Sequence, residues 1–220
     1  SVDAHHVRAM WRNAAEMAEA RGRTLEGREL RYAGMFAGAL DAIFTGGRAQ
    51  GWPLRYVAVA EEDRLRRGCL SKAYLIPKAR RYVTASKMAA GLATRLDVLS
   101  ATPSCRLLSS ARRAGGGKGG ASKGKAEQRL RRRAQAKLLA DVAAVREVAE
   151  RCEPMVIMIE ETAGLRRSRH AALYRSVQAE LRGWPYDWRH VESDCAELGA
   201  AHHRKRLLWV GVRRRARAAV

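Results

Sequence analysis

Met155-Val156-Ile157-Met158-Ile159, followed at once by Glu160-Glu161-Thr162 and then Gly164, is the stretch that decides the fold class. Five consecutive apolar residues leave no face for water. That is the pattern of a strand covered on both sides, and such strands belong to parallel sheets with helical crossovers. Upstream of this strand, residues 126–151 place Leu130, Leu138, Leu139, Val142, Val145 and Val148 along the apolar side of a helix that starts with a strongly basic turn, Arg129 to Arg133. Earlier still, Leu96-Asp97-Val98-Leu99-Ser100 reads as a strand, ended at Thr102-Pro103-Ser104-Cys105 because proline cannot donate to a ladder. Downstream come a helix over 171–181, a polar strand over 186–191 and a last apolar strand over 207–212.

The amino-terminal part alternates in the same way. Met10, Trp11, Ala14 and Met17 recur at helical spacing within 7–20, and a polar stretch over 21–28 follows. A strand is expected over 30–36, stopped by Gly38, then a helix over 39–44 closed by a turn at Gly46-Gly47. Tyr56-Val57-Ala58-Val59-Ala60 reads as the next strand, ending in Glu61, Glu62 and Asp63, with a helix over 64–73 and a further strand over 81–84. The expectation is an α/β three-layer sandwich with a mostly parallel sheet. It comprises an N-terminal helical extension (1–29), one domain (30–213) and a basic tail (214–220). Residues 114–125, almost all Gly, Ser and Lys, are too poor in apolar side chains to pack and read as a mobile loop.

Composition narrows the class. The chain has 220 residues, 47% of them hydrophobic, enough for one genuine core. Lys and Arg number 43 against 22 Asp and Glu, a formal charge of +21. Such a charge attracts polyanions at long range, although an arginine-rich compositional bias produces it too. The four cysteines lie far apart with no C-x-x-C pair, which argues against a disulfide framework or a structural zinc site; no metal is expected. No apolar run reaches membrane-spanning length, and the start has neither an initiator Met nor a signal-peptide core. A soluble intracellular protein is expected, nuclear if the source is eukaryotic, and consistent with a fragment of a longer chain.

In open α/β sheets ligands bind beyond the carboxyl ends of the strands. Those ends carry Phe36-Ala37-Gly38, Glu61 to Asp63, Pro103 to Cys105 and Glu160 to Gly164. A glycine there lets a ligand approach the backbone, and an acid can accept two hydrogen bonds from ribose hydroxyls, though turn chemistry puts the same residues in many α/β domains. Arg106, Arg112 and Arg113 would favour the thiolate of Cys105; the alternative is a buried cysteine serving as a small apolar side chain. Glu160, from another strand, could share its cleft.

These residues resemble the ordered motifs of the cytosine C5 DNA methyltransferase family, from about residue 31 to 213. The family's F-x-G-x-G is met by Phe36-Ala37-Gly38 and its E-x-D by Glu61-Glu62-Asp63. D-[VI]-L-x-x-x-P-P-C-Q appears as Asp97-Val98-Leu99-Ser100-Ala101-Thr102-Pro103-Ser104-Cys105-Arg106, and E-N-V-x-G-L as Glu160-Glu161-Thr162-Ala163-Gly164-Leu165. Gly199 to Arg206, followed by Leu207-Leu208-Trp209-Val210-Gly211, is similar to G-V-P-Q-x-R-x-R before a strand and glycine.

The resemblance implies a Rossmann-like methyltransferase sheet with S-adenosyl-L-methionine as cofactor, held by Phe36, Ala37, Gly38, Glu61, Asp63 and Pro103. It implies a cytosine turned out of its stack in DNA, with RNA as the alternative substrate. Cys105 would add to C6 of that base, Glu160 would hydrogen-bond its N3, and Arg204 would contact the target nucleotide. Arg106, Arg112, Arg113, Lys118, Lys123, Lys125 and Arg206 would meet the nucleic acid. Departures from the motifs are Leu40 and Asp41 for two glycines, Ser104 for proline, Arg106 for glutamine, and Glu161-Thr162 for Asn-Val. No acid stands near Thr84, where the family often binds adenine. The family's target-recognition region follows its last matched motif and is not found here, so the expectation is that the rest was removed, that a partner chain supplies it, or that this is a reduced paralogue. Three readings stay open: an active cytosine methyltransferase, a non-catalytic nucleic-acid binder on the same fold, and an unrelated α/β protein.

Overall fold

Branched and aromatic residues at Leu30–Met35 (β1), Leu54–Ala60 (β2), Val98–Ala101 (β4) and Val156–Thr162 (β5) build the centre of one seven-stranded sheet. The edges are the two-residue Arg81–Tyr82 (β3) and, on the other side, Lys205–Arg213 (β7) and Tyr186–Asp194 (β6). The computed structural model describes residues 4–20, 29–37, 42–49, 51–103, 121–194 and 205–214. The spatial order is β3-β2-β1-β4-β5-β7-β6. β1 to β5 pair in parallel, whereas β7 runs antiparallel to both β5 and β6.

The helices are Ala4–Glu19 (α1), Ala42–Ala49 (α2), Arg64–Ala73 (α3), Ala85–Gly91 (α4), Ala121–Cys152 (α5) and Ala171–Arg182 (α6). They cover both faces of the sheet. Leu138, Val142 and Val145 of α5, Met88 of α4 and Val177 of α6 share one core with Ile157 and Ile159 of β5. Met10 and Trp11 of α1, Ile43 and Phe44 of α2 and Leu70 of α3 share the other with Val156 and Met158. The two faces of β5 thus point into two separate cores, which is why its apolar run has no alternation; each such buried side chain contributes roughly 1.5–3 kcal/mol. The expected three-layer α/β architecture with a mostly parallel sheet is what the chain adopts.

Several boundaries differ from expectation, for identifiable reasons. Gly46-Gly47 does not turn the chain; α2 runs through both. A Cβ on Gly47 would stand 2.7 Å from Leu54 and from the Trp11 indole, so this glycine serves close packing. Helix α4 was not expected, and the strand expected over 81–84 ends at Tyr82. Thr84 instead caps α4 by accepting from the Lys87 amide at 3.1 Å, ahead of the buried stripe Ala85, Met88, Ala89 and Leu92. Of the expected loop over 114–125, residues 114–120 lie outside the described residues and 121–125 are helical, because α5 starts at Ala121. Lys123 and Lys125 therefore sit on a helix, which propagates through good helix formers against Gly124 alone.

The residues read as an N-terminal extension supply α1, whose Trp11 indole donates to the Ile43 carbonyl at 3.3 Å and stacks on Trp52. Among the described residues no helix is long and apolar enough to cross a membrane.

Candidate active site

From β1 the chain moves outward through β2 to β3, then crosses back to place β4 on the other flank of β1. The crevice between the carboxyl ends of β1 and β4 is the point where strand order reverses. Phe36 closes β1 there with φ 57°, a left-handed conformation that a bulky residue holds at a cost of about 1–3 kcal/mol. Three hydrogen bonds hold it in place. The Phe36 amide donates to the Ala60 carbonyl at 2.8 Å, the Thr102 hydroxyl donates to the Phe36 carbonyl at 2.6 Å, and the Thr102 amide donates to the Met35 carbonyl at 3.1 Å. Ala37 and Pro103 are both buried beside this turn.

At the end of β2, Glu61 is buried, and its Oε1 accepts from the Asp63 amide at 2.9 Å, which fixes the direction of the carboxylate. Asp63 is differently employed. It caps α3, accepting from the Leu65 and Arg66 amides at 2.9 and 3.0 Å, and these bonds hold its carboxyl below the usual carboxylate range.

At the end of β5, Glu160 and Arg206 form an ion pair with side chains only 9% and 12% exposed. Arg206 lies on β7, opposite Thr162 and diagonal to Glu160, so the antiparallel register brings the two onto one face of the sheet. Arg206 was expected to meet nucleic acid; its guanidinium is turned inward onto this carboxylate instead. The register also places Ala101 of β4 opposite Ile159, the residue before Glu160. The ends of β4 and β5 are therefore neighbours at about 4.8 Å strand spacing.

Glu161 points to the other face and is completely buried. Burial pushes its carboxyl up to about 8; the carboxylates of Glu160 and Asp141 act in the same sense, against the Thr162 amide and Arg206. Its Oε2 accepts from the Thr162 amide at 2.9 Å, while Oε1 has no hydrogen-bond partner. Glu161 is thus neutral near pH 7, a protonated carboxyl standing where the resembling motif has the neutral amide of asparagine.

Of the other expected site residues, Gly38, Cys105, Arg106, Arg112, Arg113, Lys118 and Arg204 lie outside the described residues, as do Leu40, Asp41 and Ser104. Among the remaining cysteines, Cys152 takes the role of a small buried side chain. Its Sγ donates to the Leu92 carbonyl at 3.2 Å, and burial pushes its thiol up. The sequence reading missed the strained Phe36 turn, the tie from Thr102 and the Glu160–Arg206 pair.

No protein-family profile and no curated protein sequence matches the chain. Solved structures do match. A prophage-encoded DNA modification methyltransferase of E. coli superposes with TM-score 0.53 at 13% identity, over 84% of this chain and 47% of its own. The Dnmt2 methyltransferase of S. pombe does so with TM-score 0.50 at 15% identity, over 84% and 50%. The fold is that of a methyltransferase. A third such structure, the methyltransferase EhMeth of Entamoeba histolytica, matches with TM-score 0.53 at 11% identity over 88% of this chain and 56% of its own. The chain spans about half the length of the methyltransferases it resembles.

Proposed function

We propose that this chain is the catalytic half of an S-adenosyl-L-methionine-dependent methyltransferase that acts on C5 of cytosine in DNA, with Cys105 as the attacking thiol. The observation that carries the proposal is the buried Glu160–Arg206 pair. Two motifs far apart in the sequence meet in one polar centre at the end of β5, beside the β4 end that leads through Pro103 to Cys105.

The residues around the β1 turn fit an adenosyl cofactor. Glu61 is an inward acid with one oxygen pinned by backbone, so the carboxylate is pre-oriented to accept from ribose hydroxyls. Phe36 and Ala37 bring backbone to the reversal point of the sheet, and buried Pro103 closes its β4 side. Asp63, occupied by its helix cap, supports that loop rather than the ribose. When bound, the cofactor supplies the methyl group.

On this reading the Cys105 thiolate adds to C6 of the flipped cytosine, and the electron pair displaced into the ring is neutralised at N3 by a proton held between N3 and Glu160. Arg206 orients Glu160 for that contact. C5 then takes the methyl, a base removes the C5 proton, and the electrons of that C–H bond expel the thiolate from C6. Arg204 contacts the target nucleotide, and a partner chain or further segment supplies target recognition.

Calorimetric titration with S-adenosyl-L-methionine, followed by transfer of a labelled methyl to cytosine in DNA and in RNA, tests the reading. Binding weakened about ten- to a hundredfold by Glu61→Ala is expected, given about 1.5–3 kcal/mol for hydrogen bonds to a charged group. Methyl transfer should vanish in Cys105→Ser with cofactor binding intact. A folded protein that binds no cofactor would instead leave the non-catalytic reading of the same fold.

A further inference from the structure

The opposite side of the molecule from β6 carries a feature the proposed chemistry does not use. Between Arg64 and Leu96 the chain has nine Lys or Arg and no Asp or Glu. This segment wraps the β3 edge: α3 lies on one face of the sheet, α4 on the other, and β3 with the 3-10 turn Lys78–Arg80 lies between them. Arg67 and Arg81 donate to backbone carbonyls, of Glu61 and Glu62 and of Ile76, so their charge is held in place but not neutralised. Arg64, Lys72, Lys78 and Lys87 are exposed and make no ion pair among the described residues. Some cations elsewhere on the surface are matched, Arg146 with Glu150 and Glu180, Arg166 with Glu192 and Arg189 with Glu16. Others, such as Arg8, Arg12 and Arg175, make no ion pair among the described residues but are not gathered in an acid-free segment.

Among the described residues the same edge also holds three of the four exposed large apolar side chains, Leu65, Leu75 and Val83. Leu75 is 86% exposed at φ 52°, so a strained apolar residue is presented to solvent with no packing to account for it.

We propose that the α3–β3–α4 edge is a second nucleic-acid surface, distinct from the cleft at the strand ends, which grips the phosphate backbone without reading sequence. Charge decides the class of partner, because a surface whose acids are confined to its border, where Asp63 pairs with Arg66, complements a regular array of phosphates. The length is suitable as well: ten helical residues span about 15 Å, along which a duplex presents about nine phosphate charges. A bilayer surface fits less well. The outward positions of α3, Arg64, Gly68, Cys69 and Lys72, offer no apolar face to insert, and the exposed leucines sit singly at its two ends. Against nucleic acid those leucines can lie on sugars between the phosphate contacts.

The test is fluorescence anisotropy of the whole chain with a mixed-sequence DNA duplex from 50 to 300 mM salt. It compares a fourfold edge variant, Arg64→Gln, Lys72→Gln, Lys78→Gln and Lys87→Gln, with a charge-matched control on the far side, Arg8→Gln, Arg12→Gln, Arg175→Gln and Arg182→Gln. With about 0.9 counterions released per phosphate contact, the edge variant should reduce the slope of log K against log salt by about 3–4, and the control by less than about 1. Equal losses in the two variants would reduce the surface to net-charge attraction and overturn the proposal, as would an unchanged slope in the edge variant. Acylation footprinting of the unsubstituted protein gives an independent reading. Lys72, Lys78 and Lys87 should be shielded by the duplex, and their full reactivity in its presence refutes the surface. Shielding by phosphatidylserine vesicles but not by duplex would also refute it.

Discussion

Replacing Glu161 by glutamine should make the protein more stable at neutral and alkaline pH, and the size of the effect follows from burial. In the unfolded chain this carboxyl titrates at about 4.5, and in the folded protein burial pushes it up to about 8. Between these values the native state holds a proton that the unfolded state does not. Unfolding stability therefore falls as pH rises through that window, by about 1.4 kcal/mol per pH unit, and levels off above about 8. From pH 5.5 to 7.5 the loss is about 2–3 kcal/mol. Glutamine keeps an acceptor for the Thr162 amide and cannot ionise, so Glu161→Gln should lack this component. Denaturant unfolding of both proteins at several pH values gives the difference directly, because titrations common to the two cancel. The expected result is a gap that widens in favour of the variant by about 2–3 kcal/mol over that interval, or about 5–10 °C in melting temperature. A gap that is flat, or that narrows with rising pH, would refute the reasoning and mean that Glu161 is ionised and paired in solution.

Other substitutions probe the neighbouring contacts. Arg206→Met strands the Glu160 carboxylate in a buried site and should cost about 3–5 kcal/mol by denaturant unfolding, with much of the loss recovered in the double variant Glu160→Gln, Arg206→Met. Gly47→Val forces a side chain into the Trp11 indole and Leu54, and calorimetry should show a loss of about 1–3 kcal/mol or more. Phe36→Gly relieves the left-handed strain and should cost less stability than the lost packing alone would suggest, while weakening S-adenosyl-L-methionine binding measured by titration. Thr102→Val removes the tie to the Phe36 carbonyl and should lower stability by about 1 kcal/mol.

Local pattern and tertiary assembly contributed different parts of this protein. The unbroken run before Glu160, the acids after Ala60 and the stop at Pro103 were legible in sequence, because backbone propensity and two-sided burial act within a few residues. Those features were enough for the sheet class and for the strand ends at which a site would lie. Glycine is where local reading misled: Gly46-Gly47 has turn chemistry, yet the space required by Trp11 and Leu54 keeps it inside a helix. Helix α4 was written in Thr84 and the spacing of Ala85, Met88, Ala89 and Leu92, but at seven residues its signal was short. Only the tertiary structure decided that β7 enters antiparallel between β5 and β6. That single choice sets Arg206 on the face of Glu160 and seals Glu161 from water. Strand order, partner and burial depend on free energies summed over both cores, and no stretch of the chain carries those by itself.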